Sequence, residues 1–383
     1  MVLSLSIKKA EGKPGVVYHP FVASILSPPQ RTLSFPFLAQ KLNLLLRLNL
    51  QNVSEPQAQS GEVKIKILSA ALNHRDLFIR HSLYPAISFD GVPMLADGCG
   101  IVNQSGHKLD GRRVILTPSQ GWKDSPDGPE KGGITILGGT TTIPLGTAQE
   151  IVCVNEHEVE LAPEHLSDEQ AAALPLTGLT AWRALVTKSG NAIEGRNILV
   201  TGIGGGVALN VLQFAVAKGC NVYVTSGSED KIEKAKKLGA KGGVNYKGKD
   251  WDKDLLKQLP KDRPFIDAII DGAGGDIVKR AMRFTKQGGV IVSYGMTLGP
   301  QVSYSMAAVL RNIDLRGSTM GSRKEFSDMV AFVREKKVVP VVSRVVEGLG
   351  NLEGVEGLFQ EMEKGSQFGK LVIRVAKRDG SKL

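Results

Sequence analysis

Cysteine is scarce: Cys99, Cys153 and Cys220 are the only three in 383 residues. They are too few and too scattered for a disulfide framework or a four-thiolate zinc site, and this usage points to a reducing intracellular setting. Aromatic residues make up only 5%, which disfavours a membrane barrel or a carbohydrate-binding sandwich. Long apolar runs are missing too. The Leu-rich stretch 35–50 is interrupted by Lys41 and Arg47; it is too short to span a bilayer and lies too far behind polar sequence to be a signal peptide. No membrane segment is expected. What remains, 42% hydrophobic and 22% charged residues, is a globular composition long enough for two domains.

The net charge of +10 raises a nucleic-acid reading, and its distribution argues against one. The first 190 residues hold 17 Lys+Arg against 17 Asp+Glu, and the remainder 31 against 21. In that second half the basic residues are interspersed with acidic ones, as in Lys231, Glu233, Lys234, Lys236 and Lys237. No basic run is interleaved with aromatics, as a single-strand groove requires. Solvated helix faces and attraction for a small polyanionic ligand account for the excess.

Along the chain, the alternation of 63–68 predicts a half-buried strand. Short strands and Gly/Pro turns continue to about residue 162, with a helical period only near Leu77, as in a β-rich barrel. Ser167 is placed to cap a helix starting at Asp168, and 174–186 carries an apolar helix. From there β and α alternate. Strands are expected at 197–201, 221–225, 243–246, 266–270, 289–294 and 313–317, and helices at 207–218 and 229–238. This is the pattern of a parallel doubly wound sheet.

Between the strand at 197–201 and its helix lies Gly202-Ile203-Gly204-Gly205-Gly206-Val207-Ala208. Glycines there let a pyrophosphate approach backbone N–H groups at a helix N-terminus, so Gly202, Gly204, Gly205, Gly206 and Val207 are read as a dinucleotide site. Where an NAD enzyme usually carries a carboxylate for the ribose 2′-OH, this chain has Ser226. With Ser228 and Lys231 nearby, hydroxyls and a cation suit a 2′-phosphate, so NADPH is favoured over NADH. Ser228 is equally placed to cap the next helix.

Ordered motifs now carry a resemblance. Leu72-Asn-His-Arg-Asp76, Tyr84-Pro85, Asp97-Gly-Cys-Gly100, Gly146-Thr-Ala-Gln-Glu150 and Leu176-Thr-Gly-Leu-Thr-Ala-Trp182 resemble the medium-chain dehydrogenase/reductase superfamily. So do the glycine loop, Asp271-Gly-Ala-Gly274 and Phe368-Gly-Lys370. The resemblance covers about residues 62 to 375. It implies an α/β protein: a GroES-like β-rich catalytic domain (1–176, resumed at 321–375), a Rossmann domain (177–320) and a cleft for a nicotinamide cofactor. A homodimer joined through the last Rossmann strand is also implied.

The superfamily's alcohol dehydrogenases carry a Cys zinc ligand where this chain has Asn73 and a His ligand where it has Ala96. The 121–133 segment holds none of the four structural cysteines. A lone His74 does not make a metal site. The chain therefore resembles the zinc-lacking quinone oxidoreductase and enoyl reductase branch, and no metal is expected. Without a Lewis acid, a conjugated acceptor is the tractable substrate: hydride added to its far carbon leaves charge spread into an enolate or phenolate.

By resemblance, Tyr84 is the proton donor, in a Ser82-Leu83-Tyr84 context that lacks the branch's Gly; its rival role is to shape the cleft while water supplies the proton. Asn73 orients a carbonyl or else bonds a turn, and Thr180 lies beside the nicotinamide or else serves the start of a helix. Trp122 is read as an apolar wall or as surface packing. Asp76 is expected to fix its loop. On the cofactor side, Tyr246 is expected against the 2′-phosphate, Asp271, Gly272 and Gly295 at strand ends, and Lys370 at the cofactor edge.

Two further expectations concern the ends. Ser381-Lys382-Leu383 reads as a peroxisomal address on a tail at 376–383, gripped by an import receptor, with the cytoplasm as location if the signal is unused. Residues 21–46 read as an insertion, a surface excursion or a gene-model error. The resulting reading is a zinc-independent, NADPH-dependent reductase of conjugated carbonyls or quinones. Its rivals are a redox-inert NADPH-binding structural or RNA-binding protein and a zinc alcohol dehydrogenase.

Overall fold

The computed structural model describes residues 1–8, 46–130, 132–299 and 301–377. The tail signal at 381–383 lies outside them, as does nearly all of the suspected insertion at 21–46. The chain forms two units, Met1–Leu176 with Val342–Leu383, and Thr177–Val341.

The first unit is built on a seven-stranded sheet. Glu62–Ala71 lies at its centre, antiparallel to Lys370–Arg374 on one side and to Asp97–Val102 on the other. Val63, Ile65 and Ile67 are fully buried while Lys64 and Lys66 alternate outward, as the period of two requires. Ile151–Asn155 pairs with the same central strand, and Arg113–Leu116 and Val159–Leu161 extend the far edge. Ser167 caps Asp168–Ala172 through the Gln170 N–H at 3.2 Å, as its position in the sequence implies.

The second unit is a six-stranded, all-parallel sheet with strand order Gly242–Asn245, Asn221–Ser226, Asn197–Val200, Ile266–Asp271, Thr285–Ser293, Asp314–Gly317. Asn197–Val200 and Ile266–Asp271 are buried at every residue, as in parallel strands covered on both faces. The order reverses beside Asn197–Val200, and that switch point puts the glycine loop where Rossmann sheets bind ligands. The expected helix at 174–186 is instead an α-helix over Pro175–Trp182 that widens into a π-helical Arg183–Lys188.

This unit continues to Val341 rather than 320. The reason is Arg323–Lys336: its Glu325 receives both Arg183 Nη1, at 3.0 and 3.1 Å, and the Thr187 hydroxyl at 2.5 Å. Those bonds fasten the helix to the second unit.

At the other end of the same sheet, Asp267 is fully buried and collects three cations: Arg263 (2.6 and 2.7 Å), Arg196 (2.9 Å) and Lys286 (3.2 Å). The Asn197 N–H adds a bond at 2.9 Å. Burial alone would push its carboxyl up, but the bonds from Arg263, Asn197, Arg196 and Lys286 outweigh it and hold the group well below the usual carboxylate range. A carboxyl depressed in the folded state stabilises the fold above the ordinary aspartate value of about 3.9, and that contribution is lost as the pH falls. Asp267→Ala is expected to cost about 3 kcal/mol at pH 7. Urea unfolding measured from pH 7 to pH 3 should show the gap to wild type narrowing below about pH 4.

Candidate active site and cofactor site

Three adjacent strand ends gather polar side chains at one end of the first unit's sheet. Lys370 opens the strand Lys370–Arg374, Asn73 follows Glu62–Ala71 by two residues, and Asp97 opens Asp97–Val102. Register aligns them, with Ala71 opposite Asp97 and Val372 opposite Ala71. The Lys370 ammonium donates to Asn73 Oδ1 at 2.5 Å and to Asp97 Oδ2 at 2.8 Å. Asn73 Nδ2 donates to the same Asp97 oxygen at 2.9 Å. The Leu176 N–H takes Asp97 Oδ1 at 2.8 Å, and the Thr147 hydroxyl takes the Asp97 carbonyl at 2.8 Å. Lys370 and Asn73 are each 4% exposed and Asp97 is fully buried.

Lys370, expected at the cofactor edge, faces Asn73 and Asp97, because the first position of its strand falls beside theirs.

The motifs of the resemblance become braces of this cluster. The Leu95 left-handed backbone (φ 66°) leads into Ala96-Asp97, and a Cβ on Gly138 would lie 2.6 Å from its carbonyl oxygen. The Thr147 N–H bonds Leu95 O and the Ala148 N–H bonds Met94 O, both at 2.9 Å. Only glycine permits that approach.

On the neighbouring helix His74–Arg80, Asp76 accepts the Asn73 N–H at 2.7 Å. Burial pushes its carboxyl up to about 6, against the pull of Arg75. Asp76 thus fixes the loop, as expected. Arg75 bonds the Leu137 and Gly138 carbonyls and lies 4.6 Å over the ring of half-buried Tyr84. Ser82 (φ 58°) and Ala86 (φ 53°) flank Tyr84 in the left-handed region. Ser82 thus holds a backbone setting that glycine adopts most readily. His74 makes an edge-on contact with Phe78 at 5.6 Å.

Trp122, expected as an apolar wall, is buried, and its indole N–H bonds Ser125 O at 2.8 Å inside its own loop. Glu130 ties the same loop, its carboxylate lowered to about 2 by the N–H groups of Asp124, Ser125 and Lys123.

The cofactor half lies in the second unit. Gly202 (φ 63°) and Gly204 (φ 133°) turn the chain, and Gly205 stands at the N-cap of the twelve-residue helix Gly206–Ala217 without a side-chain cap. The first N–H groups of that helix, on Gly206 and Val207, have no intrahelical acceptor. A Cβ at Gly202 or Gly205 would project into open space. A bare cradle at a helix N-terminus fits a pyrophosphate.

Ser226 ends its strand buried, with Oγ accepting the Ser228 N–H at 3.2 Å. Ser228 occupies the N-cap of Glu229–Lys237, yet its side chain makes no cap bond. Lys231 is half-buried on that helix, and burial together with Lys234 lowers its ammonium. The Tyr246 hydroxyl and Lys247 Cε come within 2.8 and 2.9 Å of where Gly227 would carry a Cβ, and Tyr246 is 44% exposed. Ser226, Gly227, Tyr246 and Lys247 therefore meet at neighbouring strand ends. Lys247 escaped the sequence reading, although it directly follows Tyr246.

Asp271 bonds the Thr201 hydroxyl at 2.6 Å and the Gly274 and Ala273 N–H groups at 2.9 and 3.2 Å. Burial raises its carboxyl against these bonds. It holds its own turn. Gly272 and Gly295 serve close approach, since a Cβ on Gly295 would lie 2.8 Å from the Gly272 carbonyl. Thr180 is buried on Pro175–Trp182 with Oγ1 3.8 Å from Met320 Sδ.

Two family profiles match the chain: "Alcohol dehydrogenase GroES-like domain" over residues 59–164 and "Zinc-binding dehydrogenase" over 206–335. A zinc-type alcohol dehydrogenase-like protein, YogA, of Leptosphaeria maculans is 49% identical across 98% of this chain and 100% of its own. A crotonyl-CoA reductase of Streptomyces avermitilis is 27% identical, covering 87% of this chain and 83% of its own. The crystal structure of an NAD-dependent alcohol dehydrogenase superposes with a TM-score of 0.77 at 30% identity, over 86% and 96% of the two chains.

The family names imply zinc, and the donors tested against it are an amide, a carboxylate already holding three bonds, and an ammonium. These are not a zinc ligand set. Among the described residues no three His, Cys, Asp or Glu side chains converge.

Gly205→Val should leave the melting temperature within a few degrees while abolishing cofactor binding, read as loss of nicotinamide fluorescence enhancement. A protein that still binds would place the pyrophosphate elsewhere. The chain belongs to the medium-chain dehydrogenase/reductase superfamily, as a zinc-type alcohol dehydrogenase-like oxidoreductase that uses a nicotinamide cofactor.

Proposed function

We propose that this protein is a zinc-independent, NADPH-dependent reductase of α,β-unsaturated carbonyls, enones or enoyl thioesters, with quinones as the near alternative. The observation that carries the reading is the set Asn73, Asp97 and Lys370, which offers hydrogen-bond donors and fixed charge where zinc chemistry would need thiolate and imidazole. An unconjugated ketone asks for a stronger electrophilic catalyst than this set supplies. A conjugated acceptor spreads its developing charge and needs only hydrogen bonds and one proton. The likeness to a crotonyl-CoA reductase supports an enoyl thioester among the candidates.

The nicotinamide, when bound, supplies a hydride to the far carbon of the acceptor. Asn73 then bonds the enolate oxygen, and Tyr84, held by Arg75 against its ring, delivers a proton to the α-carbon. Ser226 in place of a carboxylate, with the Tyr246 hydroxyl and Lys247 beside Gly227, supports NADPH over NADH. The terminal Ser381-Lys382-Leu383 supports import into peroxisomes. Edge-to-edge pairing of two copies is supported by the outer strand Asp314–Gly317 and by exposed Met306, Val309 and Leu310 just before it.

The test is oxidation of NADPH and NADH with a quinone, a short enone, a medium-chain enoyl-CoA and a simple ketone. Turnover of the conjugated acceptors, faster with NADPH and unchanged by a chelator, is expected. Ketone reduction that a chelator removes would overturn the metal-free reading in favour of a zinc alcohol dehydrogenase. Tight NADPH binding with no turnover of any acceptor would leave a redox-inert binding protein.

A further inference from the structure

The chemistry of two side chains determines the orientation of a third. An ammonium only donates and a carboxylate only accepts. Lys370 Nζ, 2.5 Å from one end of the Asn73 amide, therefore faces its oxygen, and Asp97 Oδ2, 2.9 Å from the other end, faces its nitrogen. An amide flip that is usually ambiguous is settled here by its neighbours. The flipped amide would set oxygen against carboxylate and N–H against ammonium. One Nδ2 hydrogen goes to Asp97, and the second has no acceptor among the described protein groups. What Asn73 retains for a ligand is a single N–H donor.

We propose that Lys370 is a positioning residue that makes Asn73 an oxyanion donor. Its ammonium pins the amide so that the remaining Nδ2–H faces the acceptor's carbonyl oxygen. Its positive charge, held 2.5 Å behind the amide oxygen, polarises that N–H. Asp97 keeps the lysine in place and is itself held by the Leu176 N–H and by the Thr147 bond to its carbonyl. The inference rests on the reductase reading and deepens it. Hydride and its electron pair pass from NADPH to the far carbon and form a C–H bond. The C=C π pair shifts toward oxygen as the enolate, which the Asn73 N–H bonds. A proton from Tyr84 or solvent then closes the α-carbon and restores C=O, leaving NADP+ and the saturated product. Lys370 neither gains nor loses a proton.

The experiment compares wild type with Lys370→Met, Lys370→Arg and Asn73→Ala by two readouts. The first is steady-state kinetics with a short enone alongside the NADPH dissociation constant. In K370M, kcat should fall roughly 100-fold or more, the loss typical of one oxyanion donor, with NADPH affinity within twofold of wild type. K370R should recover most of the loss, and N73A should match K370M.

The second readout needs no turnover. 4-Hydroxybenzaldehyde, whose phenolate absorbs at longer wavelength than its phenol, is titrated with pH while bound. It should ionise at lower pH on wild type and K370R than on K370M and N73A. Should K370M fail to fold, Lys370→Gln takes its place: it removes the charge while keeping a hydrogen-bond donor, and should show the same fall in kcat and the same later phenol ionisation.

A K370M protein with kcat within threefold of wild type and only a lowered melting temperature would make the lysine purely structural. Weakened NADPH binding with unchanged kcat would return it to the cofactor. Equal phenolate ionisation on all four proteins, or no binding of the probe, would also overturn the inference. If wild type turns over no conjugated acceptor, the reductase reading fails by itself, and the phenolate titration still reports on Lys370.

Discussion

The carboxylate of Asp97 is the point on which the first unit's polar architecture depends. Its oxygens take Lys370, Asn73 and the Leu176 N–H, and its carbonyl takes Thr147. These partners come from four separate places in the sequence. A buried carboxylate with so many donors is tolerable only because its charge is matched by an ammonium and its lone pairs are filled. Removing any one donor leaves a buried oxygen of the carboxylate short of a partner. The arrangement therefore reads as a unit in which stability and chemistry share the same bonds.

Local backbone strain concentrates around that unit. Ser82, Ala86 and Leu95 adopt left-handed conformations within a short stretch of chain on either side of Tyr84 and ahead of Asp97. Non-glycine residues persist there only where surrounding contacts over-determine the backbone. Gly138 and Gly146 provide such contacts by packing backbone to backbone against the 93–95 segment. The second unit shows the opposite economy. Its glycine loop keeps Gly202 and Gly205 clear of side chains, and the rigidity resides below, in strands buried at every residue.

Much of this was legible in the sequence. Alternating β and α patterns after Asp168, a glycine loop between a strand and a helix, and Ser226 at the end of the next strand all rest on local periodicity, which the fold preserves. The exchange of Cys and His for Asn73 and Ala96 needed only motif alignment. Contacts across long separations were not legible. Lys370 reaches its partners 297 and 273 residues away, and Phe368-Gly-Lys370 alone gives no direction for its side chain. The Leu176 backbone donor has no side-chain signature at all. That the Trp122 indole closes its own loop has no signature in the sequence around it. The longer second unit follows from Arg183 and Glu325, a pair that no periodicity announces.

The central claim is that the cation serving this site is the Lys370 ammonium rather than a metal. Zinc stoichiometry tests it most directly: the purified protein is incubated with excess zinc, freed of loose metal by gel filtration, and assayed by atomic emission. The account predicts well under one zinc per chain, unchanged when Asn73 or Asp97 is replaced. One tightly held zinc per chain, lost on replacing either residue, would contradict it.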